Sequence, residues 1–140
     1  MKKTELHIDD LRKIYYSKAS NYTQENLDRI LKNYPNLTYS GFENSGAIDY
    51  AESRNRLADA LKEFQFCCVH FTFYSKTKST YKRQFSHYYK IEVEHIVKSY
   101  IAEGSVIAAA LHMGLIIRQL PGSRDAGFNL GQYLYIITGY

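Results

Sequence analysis

Tryptophan is absent from this 140-residue chain, and cysteine and proline occur only twice each. The two cysteines, Cys67 and Cys68, are neighbours. Bridge geometry does not fit adjacent residues on an extended backbone. With no second pair, a disulfide framework and a cysteine metal site are both excluded, and reduced thiols are expected. No long apolar run exists. The most apolar stretch, Val106 to Ile117, contains His112 and is too short to cross a bilayer. Met1-Lys2-Lys3-Thr4-Glu5 turns polar at once, without the apolar segment of a secretory signal. These absences point to a cytoplasmic protein with no membrane partner. Internal repeats, low-complexity tracts and interdomain linkers are missing too, so residues 1–140 read as one domain large enough for a real core.

Acid is missing from one place. Residues 1–63 hold ten Lys/Arg and ten Asp/Glu, whereas residues 64–140 hold eight and four, so the net charge of +4 belongs to the second part. Between Glu63 and Glu92 there is no acid, and Lys76, Lys78, Lys82, Arg83 and Lys90 stand among Phe71, Phe73, Tyr74, Tyr81, Phe85, Tyr88 and Tyr89. Cations meet phosphates and aromatic rings offer stacking faces, so such a stretch suits nucleic acid. Tyr81 and Phe85 bracket Lys82 and Arg83, which lets rings stack while cations hold the backbone. An acidic protein surface, or a solvated connection with rings buried at its base, fits the same composition. No RNP signature, GxxG loop or zinc-finger spacing accompanies it. The fourteen tyrosines fit an AT-rich genome or a wet interface.

The apolar spacing divides the chain into a mainly helical part, residues 1–64, and a part with a strand, helices and a C-terminal strand meander, residues 65–140. Asp9-Asp10 opens a first helix bearing Leu11, Ile14 and Tyr15. Thr23 caps a second, with Leu27, Ile30, Leu31 and Tyr34 on one face; Pro35 ends it. A short strand is expected near residues 37–39. Residues 47–64 read as a third helix. The β-branched and aromatic run 65–74 reads as a central strand, and the basic segment 75–86 as its exit. Residues 87–103 read as a helix along Tyr89, Val93, Ile96, Val97 and Tyr100. Residues 105–113 read as another, capped by Ser105 and closed by Gly114. Strands are expected at 115–120, 127–130 and 133–138. The class is α+β, with helices packed on one face of a small antiparallel or mixed sheet.

Catalytic constellations are scarce. Glu92-Val93-Glu94 matches the E-x-E pair of mono-ADP-ribosyltransferases, but on a helix the two side chains project about 200° apart, as on a solvated face. His87 and His95 lie about two helical turns apart, roughly 12 Å, too far to share one zinc. His95 beside Glu94, or His112 between Leu111 and Met113, is a candidate general base without a nucleophile; the favoured reading of His7, His70, His87, His95 and His112 alike is a satisfied structural histidine. Cys67 and Cys68 read as small core residues. No phosphate-cradling glycine loop is present. No cofactor and no metal are implied.

Residues 86–130 resemble a group of small proteins from phages, plasmids and their bacterial hosts. The resemblance rests on Lys90 and Glu94, then Tyr100-Ile101-Ala102-Glu103-Gly104, then Ile107-Ala108-Ala109-Ala110 with Gly114, and finally Arg124-Asp125-Ala126-Gly127-Phe128-Asn129. Ala102-Glu103 stands where the group carries Ser-Asn, Asp125 where it carries Asn, and Ile91 where His is common. The resemblance implies a mobile-element setting, in which small cytosolic proteins counter host defence as anti-CRISPR proteins do. Lys90 and Glu94 also pair at i, i+4 on physical grounds.

The expectation is a non-enzymatic binding protein that inhibits or modulates a host nucleoprotein complex in the host cytoplasm. Its surface would comprise Lys76, Lys78, Tyr81, Lys82, Arg83, Phe85, Tyr88 and Lys90. An autonomous nucleic-acid-binding regulator and, further off, a small enzyme remain as alternatives. The oligomeric state, a homodimer included, and any role for Glu103 and Asp125 stay open.

Overall fold

The computed structural model describes residues 3–78, 85–119 and 123–140. The chain begins with strand β1 (Thr4–His7) and helix α1 (Ile8–Lys18), whose first turn holds Asp9 and Asp10. The N-cap is His7, whose ring accepts a hydrogen bond from the Asp9 N–H. A 3₁₀ turn (Ala19–Asn21) leads to α2 (Gln24–Asn33). As the sequence indicates, Thr23 caps α2, and Asn26 completes a reciprocal capping box. The end of α2 is held by Arg54, which donates to the carbonyls of Leu31, Tyr34 and Leu37 at 2.8–2.9 Å. The hairpin β2 (Leu37–Thr38) and β3 (Gly41–Phe42) follows.

The expected third helix is two helices, α3 (Tyr50–Ala58) and α4 (Leu61–Thr72), broken at Asp59–Ala60. The expected strand over residues 65–74 is wrong over most of its length: residues 65–72 belong to α4, and only Tyr74 begins strand β4 (Tyr74–Lys76). A short apolar run fits a buried helix as well as a buried strand. Here α1, α2, α5 and α6 surround it, so a strand would have no ladder partner. A helix satisfies its own backbone groups. Phe64 to Phe71 are all buried, Cys67 and Cys68 included.

Helix α5 (Ser86–Val97) stops before the expected residue 103, at Lys98, which adopts φ 56°. Helix α6 (Glu103–His112) starts before Ser105, and Ser105 is not its cap. The Glu63 carboxylate takes that role: Oε1 accepts from the Ala102 N–H at 2.6 Å and the Ser105 hydroxyl at 3.1 Å. Oε2 accepts from Tyr39 at 2.7 Å. Gly114, at φ +73°, closes α6 as anticipated: its N–H donates to Leu111 and the Leu115 N–H to Ala110, a Schellman end.

The remaining strands are β5 (Ile117–Gln119), β6 (Ala126–Phe128), β7 (Leu130–Tyr133) and β8 (Tyr135–Thr138). Among the described residues the strands form four two-stranded ladders. β5 pairs with β6 and β4 with β7, both antiparallel, while β8 pairs in parallel with β1, a strand the periodicity did not show. The class is α+β, and α4 and α6 form the heart of one core.

The corner at Gly104 is the tightest contact. A Cβ there would sit 1.8 Å from the Thr38 carbonyl oxygen, whereas one at Gly114 would meet nothing within 4 Å. Gly104→Ala is therefore expected to cost at least about 2 kcal/mol through overpacking. Gly114→Ala should cost about 1 kcal/mol, from backbone strain alone. Denaturant unfolding of the two variants checks the order; equal costs would refute the corner.

Candidate binding surface

Lys76 ends β4 and Lys78 follows, both exposed. Thr77 between them is clamped from both sides: its N–H donates to the Asn129 carbonyl at 2.9 Å, and the Asn129 amide donates to the Thr77 carbonyl at 3.0 Å. Asn129 also accepts from the Ile116 N–H at 2.7 Å. Asn129 thus staples the end of β4, which displays two lysines. Among the described residues neither lysine is in an ion pair. Tyr81, Lys82 and Arg83 lie outside the described residues.

Of the other described members of the expected surface, Lys90 is committed elsewhere, while Phe85 and Tyr88 are partly exposed. Lys90 is not a free phosphate contact: its Nζ lies 2.8 Å from Glu94, its side chain is only 13% exposed, and it covers the Tyr100 ring at 4.5 Å. The i, i+4 pair is thus present. Tyr100 is exposed rather than a packing residue. Phe85 is half-buried and bridges its backbone to Gly127. Tyr88 is partly exposed, sets its ring edge-on against Tyr89, and burial raises its hydroxyl above the usual tyrosine range. The stretch without acid in sequence is not without acid in space, because Glu92, Glu94 and Glu103 close over its helical end.

Behind β4 lies a buried polar chain that periodicity did not single out. His70 has no exposed surface. Its Nδ1 is 2.6 Å from the Tyr15 hydroxyl and its Nε2 3.1 Å from Glu92 Oε1. Tyr15 is 2.7 Å from the Tyr133 hydroxyl, and Tyr74 donates to the same Glu92 oxygen. With its proton on Nε2, His70 donates to Glu92 and accepts from Tyr15, which accepts in turn from Tyr133. The rings of Tyr15, Phe71, Tyr74 and Tyr133 enclose the imidazole at 5.3–6.0 Å. Burial pushes the hydroxyls of Tyr15, Tyr74 and Tyr133 well above the usual tyrosine range. Glu92 is consequently no solvated helix residue.

A second cluster forms at the N-termini of α5 and α6. His87 Nδ1 is 2.7 Å from Glu103 Oε1, and Asp125 adjoins that carboxyl. The Ser86 hydroxyl accepts from the Ala126 N–H at 3.1 Å, tying α5 to β6. Burial raises the Glu103 carboxyl above its usual range; the hydrogen bond with His87 opposes the rise and Asp125 adds to it. Two of the positions that depart from the phage-protein pattern, Glu103 and Asp125, therefore meet in space.

Of the catalytic candidates, Glu92 and Glu94 do part company. Glu94 accepts from Lys90 and, at 3.1 Å, from the Ile101 N–H at the end of α5. Glu94 and His95 line a cavity of about 320 Å³ with Asp9, Lys98 and Tyr140, where the His95 ring packs 4.7 Å from Tyr140. His112 packs against Tyr22 and Phe64, and partial burial lowers its pKa. Burial pushes both cysteine thiols up, away from reactivity. Among the described residues no group of His, Cys, Asp and Glu is placed to hold a metal, and no helix is long and apolar enough to cross a membrane. Comparison with protein-family models, curated proteins and solved structures returned no match.

Because the three buried hydroxyls are raised above the usual 10.0, their protonated forms support the fold fully below that pH. Stability should hold up to about pH 9 and fall above about pH 10, as the unfolded chain's tyrosines ionise. Tyrosinate absorbance and circular dichroism should change together; tyrosinate forming in the intact fold would contradict the network. Glu103 favours its protonated form in the fold, an advantage present below the usual 4.5 and lost as pH rises through the raised value. Glu103→Gln should therefore be no less stable than the parent at pH 7. Its relative advantage should shrink as pH drops below 4.5 in urea unfolding.

Proposed function

We propose that this is a binding protein of mobile-element type that inhibits or modulates a host nucleoprotein complex by docking on its nucleic acid. The contact surface is the lysine pair Lys76 and Lys78 with the adjoining segment that carries Tyr81, Lys82, Arg83 and Phe85. One observation carries this reading: the two lysines stand exposed at the end of β4, which Asn129 clamps, without ion pairs among the described residues, while Lys90 is neutralised by Glu94. A clamped strand end presents its cations at low ordering cost, which favours a backbone-tracking contact. Tyr88 and Phe85, partly exposed at the start of α5, offer ring faces beside that track. The resemblance of residues 86–130 to small phage and plasmid proteins supports the anti-defence setting. Lys90, drawn into α5, is a supporting residue in this reading.

The test is a salt titration of binding to short RNA and DNA. Two to four phosphate contacts give a slope of about −2 to −4 in log affinity against log salt for duplex DNA. Replacing Lys76, Lys78, Lys82 and Arg83 together by Gln should abolish most of that slope and relieve inhibition of a defence complex. Salt-independent binding, or no binding at 50 mM salt, would remove direct phosphate contact. A strong preference for one base sequence would favour the autonomous regulator instead.

A further inference from the structure

Glu43 is the most unusual carboxylate in the molecule. Its side chain is 3% exposed, and neither oxygen has a hydrogen-bond partner among the described residues. Among the described residues the nearest cation, Arg124 Nη1, lies 3.6 Å from Oε1 on a side chain that is 57% exposed. That distance is too long for a hydrogen bond, so the buried carboxylate keeps acceptor capacity that a fold normally fills.

The backbone around Glu43 is fixed. Its N–H donates to the Asn36 carbonyl at 2.7 Å, and the Phe42 N–H donates to the Arg124 carbonyl at 3.2 Å. Gly41, at φ +114°, lets the two segments approach so closely that a Cβ would come within 2.5 Å of the Arg124 oxygen. Glu43 is therefore held at the wall of a cleft of about 400 Å³, with Asn36, Asn44 and Gln119 beside it. A second cavity of about 390 Å³ shares Asn36, Phe42 and Gln119 with the first, and its far wall is Tyr34, Leu111, Leu115 and Ile117. Together they make a groove with a donor-hungry carboxylate at one end and an apolar floor at the other.

We propose that this groove binds a small organic cation, with a guanidinium or ammonium head on an apolar stem. The head donates to the two Glu43 oxygens, and a planar guanidinium matches a carboxylate with two parallel bonds. The stem runs over Phe42 toward Leu115 and Ile117 and leaves water. Arg124 is the built-in competitor, whose exposed guanidinium swings out as the ligand head arrives. The site uses none of the residues assigned to nucleic-acid contact, so either proposal stands or falls without the other.

The probe is n-hexylguanidinium, titrated into the full chain by calorimetry and by amide NMR, with n-hexylammonium and hexanoate alongside. Both cations should bind and shift the amide signals of Phe42, Glu43 and Ile117, and hexanoate should not. Glu43→Gln should weaken the cation by at least about tenfold, the loss expected for hydrogen bonds to a charged acceptor. Arg124→Gln removes the competitor and should tighten binding about twofold to fivefold, the strength of one screened ion pair. Methylguanidinium, which lacks the stem, should bind more weakly than the hexyl compound. Binding of hexanoate as tight as that of the cations would overturn the site, and so would unchanged affinity in folded Glu43→Gln. If that variant does not fold, unchanged or weaker binding by Arg124→Gln overturns the site on its own.

Discussion

An imidazole with no exposed surface must find partners for both ring nitrogens inside the protein, and His70 does so between Tyr15 and Glu92. That requirement organises the molecule. Tyr15 comes from α1, His70 from α4, Glu92 from α5, Tyr74 from β4 and Tyr133 from β7. Five elements far apart in sequence are thus locked by one chain of hydrogen bonds with aromatic rings around it. A fully satisfied network of this kind specifies register as well as stability, because a displaced element leaves a buried polar atom unpaired. The ladder of β4 with β7 shifts register between Tyr74 and Lys76, where Tyr74 turns inward to Glu92 and Lys76 is left at the surface.

The lysine edge is thereby a by-product of core chemistry. β4 is anchored by Tyr74 on one side of Ser75, whose hydroxyl accepts from the Gln132 N–H at 2.9 Å. Beyond it Asn129 clamps Thr77. The same Asn129 fixes the start of β5 through Ile116, and the β5–β6 ladder places Arg124 at the Glu43 groove. The two surfaces proposed for binding therefore share one rigid support while using separate side chains. At the other end, Glu63 caps α6 and receives Tyr39, so the close passage of Gly104 by Thr38 holds the β2–β3 hairpin against the core.

Much of this was legible wherever a local rule decided the outcome. The Thr23 cap, Asp9-Asp10 at a helix start, the Gly114 end and the Lys90–Glu94 pair all follow from chemistry within one or two turns. What escaped notice is non-local. The run from Gln65 to Thr72 carries β-forming side chains, and only the helices packed around it decide that it is helical. The stop of α5 at Lys98 has no glycine or proline to announce it; Glu94 replaces the lost helix bonds by taking the Ile101 N–H. Strand β1 exists because β8 arrives beside it from the far end of the chain. The charge asymmetry was real in sequence, yet Glu92, Glu94 and Glu103 fold back over its helical half, and among the described residues of the stretch Lys76 and Lys78 are the exposed cations. Glu43 gave no signal at all, and His70 was legible only as a structural histidine, since what matters about each is which partners the fold brings or withholds.

The dependence on His70 is measured most directly by a double-mutant cycle between Tyr15→Phe and Glu92→Gln. These side chains meet opposite nitrogens of one imidazole, so their effects on unfolding free energy should be coupled by about 1 kcal/mol or more. Additivity within about 0.3 kcal/mol would show that the two ends act independently and that the network does not hold the five elements together.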